Sequence, residues 1–362
     1  MIRLMQNLVR FQVIAVILMS GLLLGGCIPA KAQTSGPAAA SMQESTNSLI
    51  YHGIFPGGKT GEEDDITIAD VTSYERTVGK KVAWVYFSNN WYSDRKFPLA
   101  TATWIRRHGA IPFIRLMLLD SWRKPRTNRD YSLDSIAAGK FDKDLKAWAR
   151  AARDFKTPLL VEYGTEVNGH WFPWNGQHNG GRRGPEMFKQ AYRHIIDVMK
   201  KQGANNIRWV FHMDVDDNPR ESWNRFENYY PGHNYIDWLG FSAYGAATPM
   251  ADEWPSFRKL VDPIYPRLAD LAMGKPIVVL EFGVTNGHPK MDQAQWAEAA
   301  LTDITSGRWP GIVGFSWWNE AWENDNNPAH NTNMRVQDNP KLAAVFKRLV
   351  CGNPKVTDRL PF

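Results

Sequence analysis

The sequence predicts an α/β domain of the (β/α)8 barrel class, the TIM barrel, over residues 49–362, and three observations predict it. Short apolar runs alternate with helical stretches through just over three hundred residues, the runs number eight, and no linker or internal repeat interrupts them. A doubly wound open sheet is the competing arrangement. It is disfavoured because Gly57-Gly58, after the first run, lacks the spacing of a dinucleotide-binding turn.

Each element follows from its residues. The first strand spans Leu49 to Phe55 and runs into the Pro56-Gly57-Gly58 turn, with a helix over Ile66 to Val78. The second strand, Val82 to Phe87, ends at Ser88-Asn89-Asn90-Trp91; a helix from Leu99 to Arg107 leads to the third, Ile111 to Leu118, which ends at Leu119-Asp120-Ser121-Trp122. A helix over Phe141 to Phe155 precedes the fourth strand, Thr157 to Val161, whose unbroken apolarity fits a buried parallel strand. Pro185 is placed to start the next helix, Glu186 to Lys201. Strand five is Ile207 to Phe211, followed by His212-Met213-Asp214, and strand six is Ile236 to Phe241, followed by Ser242-Ala243-Tyr244-Gly245. Pro255 to Met273 reads as helix broken around Pro263 and Pro266. Strand seven, Lys275 to Glu281, a helix from Met291 to Thr305, strand eight from Ile312 to Trp317 and a last helix from Lys341 to Val350 complete the domain.

The amino-terminal residues have a different character. Arg3 and Arg10 precede an apolar run from Phe11 to Leu24, too short for a comfortable membrane span, and small residues follow it. Residues 1–27 resemble a bacterial lipoprotein signal in which Leu24-Gly25-Gly26-Cys27 is the lipobox and Cys27 carries the lipid. An ordinary secretory signal cleaved near Ala30 to Ala32 is the alternative. Either places the protein at the cell envelope or outside the cell, with a membrane contact only if Cys27 is acylated. Residues 28–48, rich in Ala, Ser, Gln, Pro and Gly, read as a flexible tether. Cys351 is the one other cysteine, so the domain forms no internal disulfide and depends on its core.

The net charge of +6 comes from Lys and Arg spread along the chain without a basic block, which argues against a nucleic-acid partner. The aromatic count is more informative: 16 Trp, 12 Tyr and 17 Phe. About half of these rings are expected in the core, and the rest favour a cleft in which indoles stack on the C–H faces of sugars.

The domain is organised around VEYGTEVNGHWFPW, Val161 to Trp174, where a strand ends in carboxylates and then rings. The seventh strand ends similarly, in Glu281-Phe282-Gly283. Strand ends of this kind carry the chemistry of parallel α/β folds, and two glutamates aimed into one cleft make the carboxyl pair that glycoside hydrolysis requires.

Thr165-Glu166-Val167-Asn168-Gly169-His170-Trp171-Phe172-Pro173-Trp174 resembles the acid/base motif of glycoside hydrolase family 26, retaining barrel enzymes that are mostly endo-β-mannanases, some acting on mixed-linkage β-glucan or β-1,3-xylan. The resemblance implies Glu166 as acid/base after strand four and Glu281 as nucleophile after strand seven. It further implies that the Tyr244 hydroxyl bonds the nucleophile, against the alternative of a tyrosine packed under the loop, and that Trp318 floors the sugar subsite. Trp171, Trp174 and Trp322 are expected as stacking platforms, with Trp91 and Trp122 extending the groove. Asn168 either bonds sugar hydroxyls or caps its turn. The family usually has histidine where this chain has Thr165, a departure that bears on mannan as substrate; His212 is the candidate to supply an imidazole from another direction.

Glu162 and Glu320 are set aside, Glu162 as a structural partner of Arg115 and Glu320 as a loop carboxylate. No His or Asp pair has the spacing of a zinc site, so no metal and no cofactor is expected. The partner expected is a polysaccharide, β-mannan or mixed-linkage β-glucan. The competing class is a catalytically silent carbohydrate-binding barrel serving polysaccharide capture or export.

Overall fold

The computed structural model describes residues 49–121, 128 and 130–361. The signal with Cys27, the tether and Trp122 lie outside the described residues.

Eight parallel strands close into a barrel: β1 (Ile50–Phe55), β2 (Trp84–Asn90), β3 (Ile111–Met117), β4 (Leu159–Tyr163), β5 (Ile207–Asp214), β6 (Trp238–Tyr244), β7 (Ile277–Gly283) and β8 (Ile312–Trp318). Each pairs with its successor, and β8 returns to β1 in register from Tyr51↔Gly314 to Phe55↔Trp318. Around them lie α1 (Ile68–Val78), α2 (Leu99–His108), α3 (Leu133–Ala137), α4 (Asp142–Phe155), α5 (Gly184–Lys201), α6 (Phe257–Val261), α7 (Tyr265–Ala272), α8 (Gln293–Ser306) and α9 (Pro340–Phe346). Local chemistry sets their ends. Thr67 and Asp70 form a reciprocal capping box at the start of α1, and Gly79 closes it in the left-handed conformation. The predicted break falls between α6 and α7, where Pro266 occupies the first turn of the second helix.

Three short strands were not expected. β9 (Ala321–Trp322) and β10 (Thr332–Asn333) pair antiparallel beyond β8, and β11 (Val356–Thr357) lies parallel to the first two residues of β1.

Several strands run further towards their carboxyl ends than apolarity alone predicts. β4 starts at Leu159, whose N–H bonds the Asn206 carbonyl at 3.0 Å, because Pro158 has no N–H to offer the ladder. Glu162 therefore sits inside the strand, not past it. β2, β5 and β6 likewise extend through Ser88-Asn89-Asn90, His212-Met213-Asp214 and Ser242-Ala243-Tyr244.

These extensions divide the barrel interior into two layers. The floor is apolar: Trp84 fills it because Gly53 and Gly314 present no side chain against its ring, and its Nε1 donates to Ser316 Oγ at 2.6 Å. Trp238 closes edge-on against Trp84 with ring centres 6.2 Å apart. Above lies a polar layer of Tyr86, Arg115, Glu162, His212 and Ser242, buried and wholly paired within the protein. The mouth of the barrel rests on that layer.

Candidate active site

Glu166 is positioned by the turn that leaves β4. Gly164 has φ +78°, and a side chain there would run into the Phe188 ring, so the turn needs glycine. Glu166 itself holds φ +47°, a left-handed backbone that a non-glycine residue keeps only when its surroundings impose it. The surroundings do so. Trp174 Nε1 donates to the Thr165 carbonyl at 2.8 Å, Val167 N–H bonds the His212 carbonyl at 3.2 Å, and Gly169 N–H bonds the Glu166 carbonyl at 2.8 Å. Asn168 ties this turn to the end of β5: its Oδ1 accepts from Asp214 N–H at 2.7 Å and its Nδ2 donates to the Asp214 carbonyl at 2.9 Å. The side chain that results is a buried carboxyl whose Oε2 accepts from Trp171 Nε1 at 2.6 Å.

Glu281 is positioned by a bulge. Leu280 is skipped between the pairs Phe241↔Val279 and Ser242↔Glu281, and the extra residue aims the Glu281 side chain into the mouth. Its Oε2 accepts from Tyr244 Oη at 2.9 Å, its Oε1 accepts from Tyr86 Oη at 3.3 Å, and Arg115 Nη2 lies 3.5 Å from Oε1.

The layer beneath couples the two. His212 Nδ1 is 3.0 Å from Glu162 Oε2 and its Nε2 is 2.8 Å from Ser242 Oγ, a hydroxyl that also hydrogen-bonds the Glu166 carboxyl. Glu162 accepts from Tyr86 Oη at 2.7 Å and from Thr165 Oγ1 at 2.6 Å, with Arg115 Nε 3.6 Å away. Thus Thr165 spends its hydroxyl on Glu162, and His212 is held by its two partners below the mouth.

Electrostatics separate these acids. Burial, which alone would raise Glu162, is outweighed by His212 and Arg115, so it stays below its ordinary range and remains ionised. Burial pushes both Glu166 and Glu281 above theirs. The Glu166 charge raises Glu281 further while Arg115 opposes the rise, so the two carboxyls titrate as a pair. Asp214, half-buried at the end of β5, is raised by burial and then by the Glu166 charge. Among the described residues no group of three or more His, Cys, Asp or Glu side chains is placed to share a metal ion.

The profile of glycosyl hydrolase family 26 matches residues 127–336, more than half of the chain. The chain belongs to glycosyl hydrolase family 26. It is 24% identical over 282 residues to Endoglucanase H of Acetivibrio thermocellus, covering 77% of this chain and 29% of that protein. To a Vibrio beta-1,3-xylanase it is 25% identical over 53% of this chain and 42% of the relative, and to a mannan endo-1,4-beta-mannosidase of Bacillus subtilis 24% identical over 60% and 58%. The chain therefore spans between about a third and three fifths of the length of these relatives. The fold is also that of a Bacillus subtilis mannanase (TM-score 0.57, 18% identity, 84% of this chain and 86% of that one) and of a family 26 beta-mannanase from Bacteroides ovatus (TM-score 0.57, 16% identity, 87% and 91%).

The remaining candidates of this family 26 barrel divide into two sets. Trp318 lies beside the carboxyl pair and, like the second set, is buried, 1% exposed: its ring stacks on Phe55 at 3.9 Å and meets Tyr244 edge-on at 6.4 Å, and Arg115 sits 5.7 Å over it, so what distinguishes it is its contact with the site. Trp171 is half-buried at Glu166, and Trp322, half-buried in β9, donates to Asn324 Oδ1 at 2.9 Å. The second set is committed to packing. Trp174 is buried with its ring stacked 4.6 Å from Phe172, and Trp91 is buried edge-on to Tyr131 and Phe141, so neither presents a free face to a groove. The amide of Asn168 is spent on the β5 loop, which is the turn-holding alternative. Glu320 is more than a loop carboxylate, since it is buried and accepts from Trp318 Nε1 at 3.1 Å.

Sequence reasoning missed Tyr86, Ser242 and Glu63. Tyr86 and Ser242 fall on the interior-facing side of strands whose polar ends were read as loop. Glu63 stands in a run of four acids just after β1, and that run was the available signal.

Proposed function

We propose that the domain is a retaining endo-acting glycoside hydrolase of β-linked polysaccharides, with Glu166 as acid/base and Glu281 as nucleophile. The observation that carries this reading is the unequal company of two buried carboxyls. Glu281 has the Arg115 guanidinium beside it and the Tyr244 hydroxyl donating to it, both of which favour its ionised form; Tyr86 Oη stands 3.3 Å away but has one proton, and its shorter contact, 2.7 Å, is to Glu162. Glu166 has no cation in contact and is held by two neutral donors, the Trp171 indole and the Ser242 hydroxyl. The single proton of the pair accordingly resides on Glu166, and the negative charge on Glu281.

In the first step Glu281 attacks the anomeric carbon as Glu166 gives its proton to the leaving oxygen; the glycosidic bond breaks and an ester to Glu281 forms. In the second, water attacks the same carbon, its proton passes to the Glu166 carboxylate and the ester to Glu281 breaks. Trp318 floors the sugar site, and Trp171 and Trp322 are its further platforms. β-Mannan and mixed-linkage β-glucan are the substrates proposed; the relatives' names span mannan, glucan and xylan, so the choice among polymers rests on assay. With lipid on Cys27 the enzyme works at the cell envelope.

The test is release of reducing ends from mannan, lichenan and β-1,3-xylan by the parent protein and by Glu281→Gln. The parent is expected to cleave at least one, with a loss of at least about 10³-fold in the variant. Cleavage unchanged by the substitution would rule out Glu281 as nucleophile. Binding without cleavage by the parent would select the silent barrel instead.

A further inference from the structure

The loop after β1 carries Glu62-Glu63-Asp64-Asp65, and of these four acids only Glu63 is fully turned inward, 2% exposed. It does so at φ +62°, again a left-handed backbone on a non-glycine residue. Its carbonyl accepts from Ser88 N–H at 2.9 Å and its Oε2 accepts from Ser88 Oγ at 3.0 Å. The same oxygen pairs with Arg115 Nη1. A loop that bends its backbone unfavourably to deliver one carboxylate to one guanidinium is a positioned feature, not a solvated acidic run.

What it delivers to is the cation of the catalytic layer. Arg115 is wholly buried and fans out over three acids: Nη1 pairs with Glu63, Nη2 lies 3.5 Å from Glu281, and Nε donates to Thr165 Oγ1 at 3.3 Å with Glu162 3.6 Å away. A guanidinium left to itself takes one carboxylate by two parallel hydrogen bonds. Here Glu63 has the tightest contact and Glu281 a looser one. The other ionisable groups facing Glu281 are Tyr86 from β2, His212 from β5, Tyr244 from β6 and Glu166 from the β4 turn. Asp214 faces the same pair from the end of β5, and Glu320 and Asp64 face Glu63.

We propose that Glu63 is a positioning residue of this site: by occupying one edge of Arg115 it keeps the guanidinium from closing onto Glu281, which so retains a loosely paired, basic carboxylate. The proposal rests on Glu281 being the nucleophile. A carboxylate in a closed bidentate pair is a weaker base and a poorer attacking group, so the loop after β1 tunes the reaction without touching sugar.

The experiment is a carboxyl ¹³C NMR titration of the full chain labelled on glutamate, with the Glu281 signal assigned by its disappearance in Glu281→Gln. In Glu63→Gln the Glu281 midpoint is expected to fall by about one pH unit, because a like charge is removed and Arg115 is freed towards it. The acidic limb of kcat/KM should fall by the same amount, while Glu63→Asp, which keeps the charge, stays with the parent. Equal Glu281 midpoints in the parent and Glu63→Gln overturn the proposal. Should Glu63→Gln fail to fold, Ser88→Ala removes one of the contacts holding Glu63 and is expected to give a smaller fall in the same direction; no fall there counts against the proposal as well. A parent protein that cleaves no β-glycan overturns the hydrolase reading, whereas the titration decides the role of Glu63 separately.

Discussion

Replacing Tyr244 by phenylalanine removes one hydrogen bond and little else. The hydroxyl donates to Glu281 Oε2 at 2.9 Å, and burial together with the Glu281 charge holds its own pKa well above the ordinary phenol value, so it stays a donor at every working pH. The ring that remains keeps its edge-on contact with Trp318, centres 6.4 Å apart. A hydrogen bond to a charged group is worth about 1.5–3 kcal/mol. Because the Tyr244 hydroxyl bonds the carboxylate more strongly than the neutral carboxyl, most of that loss falls on the ionised state, and at 1.36 kcal/mol per unit it raises the Glu281 pKa by up to about one to two units. The acidic limb of kcat/KM should move to higher pH by that amount, with kcat/KM at a fixed pH below the limb falling by up to about 10- to 100-fold. The assay is the pH dependence of kcat/KM on a soluble oligosaccharide of the preferred polymer. A limb that stays in place while the plateau drops would refute the reasoning, because it would mean that the hydroxyl acts only in the transition state.

Glu320 gives a stability test. Burial, and then the Glu63 charge, push its carboxyl from 4.5 up to about 8. A group whose folded pKa is raised contributes least once ionised: between those two values the folded state holds a proton that the unfolded state has lost, so stability falls as pH rises from about 4.5 towards 8. Glu320→Gln, which keeps an acceptor for Trp318 Nε1, should match the parent near pH 4 and exceed it by roughly 3 kcal/mol at pH 7. Denaturant unfolding at the two pH values checks this; a difference that does not grow with pH would place Glu320 in water. Cys27→Ser should move the protein from the membrane fraction to the soluble fraction of the producing cell; an unchanged partition would show that Cys27 bears no anchoring lipid.

Much of the barrel was legible because its strands are apolar and its helices periodic, signals that depend on neighbours in sequence. Strand ends were read short wherever the chain turned polar inside the protein. Ser242 and His212 look like loop residues until the barrel closes and supplies each with a buried partner at 2.8 Å. Glu166 and Glu281 could be singled out because each follows an apolar run and stands among glycines and rings. The roles of the tryptophans could not be sorted in the same way. Trp171 and Trp174 are three residues apart in one turn, yet one reaches Glu166 and the other is sealed against Phe172. The Arg115 hub draws on the loop after β1 and on β3, β4 and β7, separations that no local pattern encodes.

β11 meets β1 at Ile50↔Val356 and Tyr51↔Thr357, whereas β2 joins β1 only from Gly53↔Trp84 onward. The strand that opens the domain and the strand that nearly ends it thus share one pole, the apolar floor, and the carboxyl pair occupies the other. Any leash, fusion partner or surface attached through either flank pulls from beneath, on the side away from the carboxyl pair.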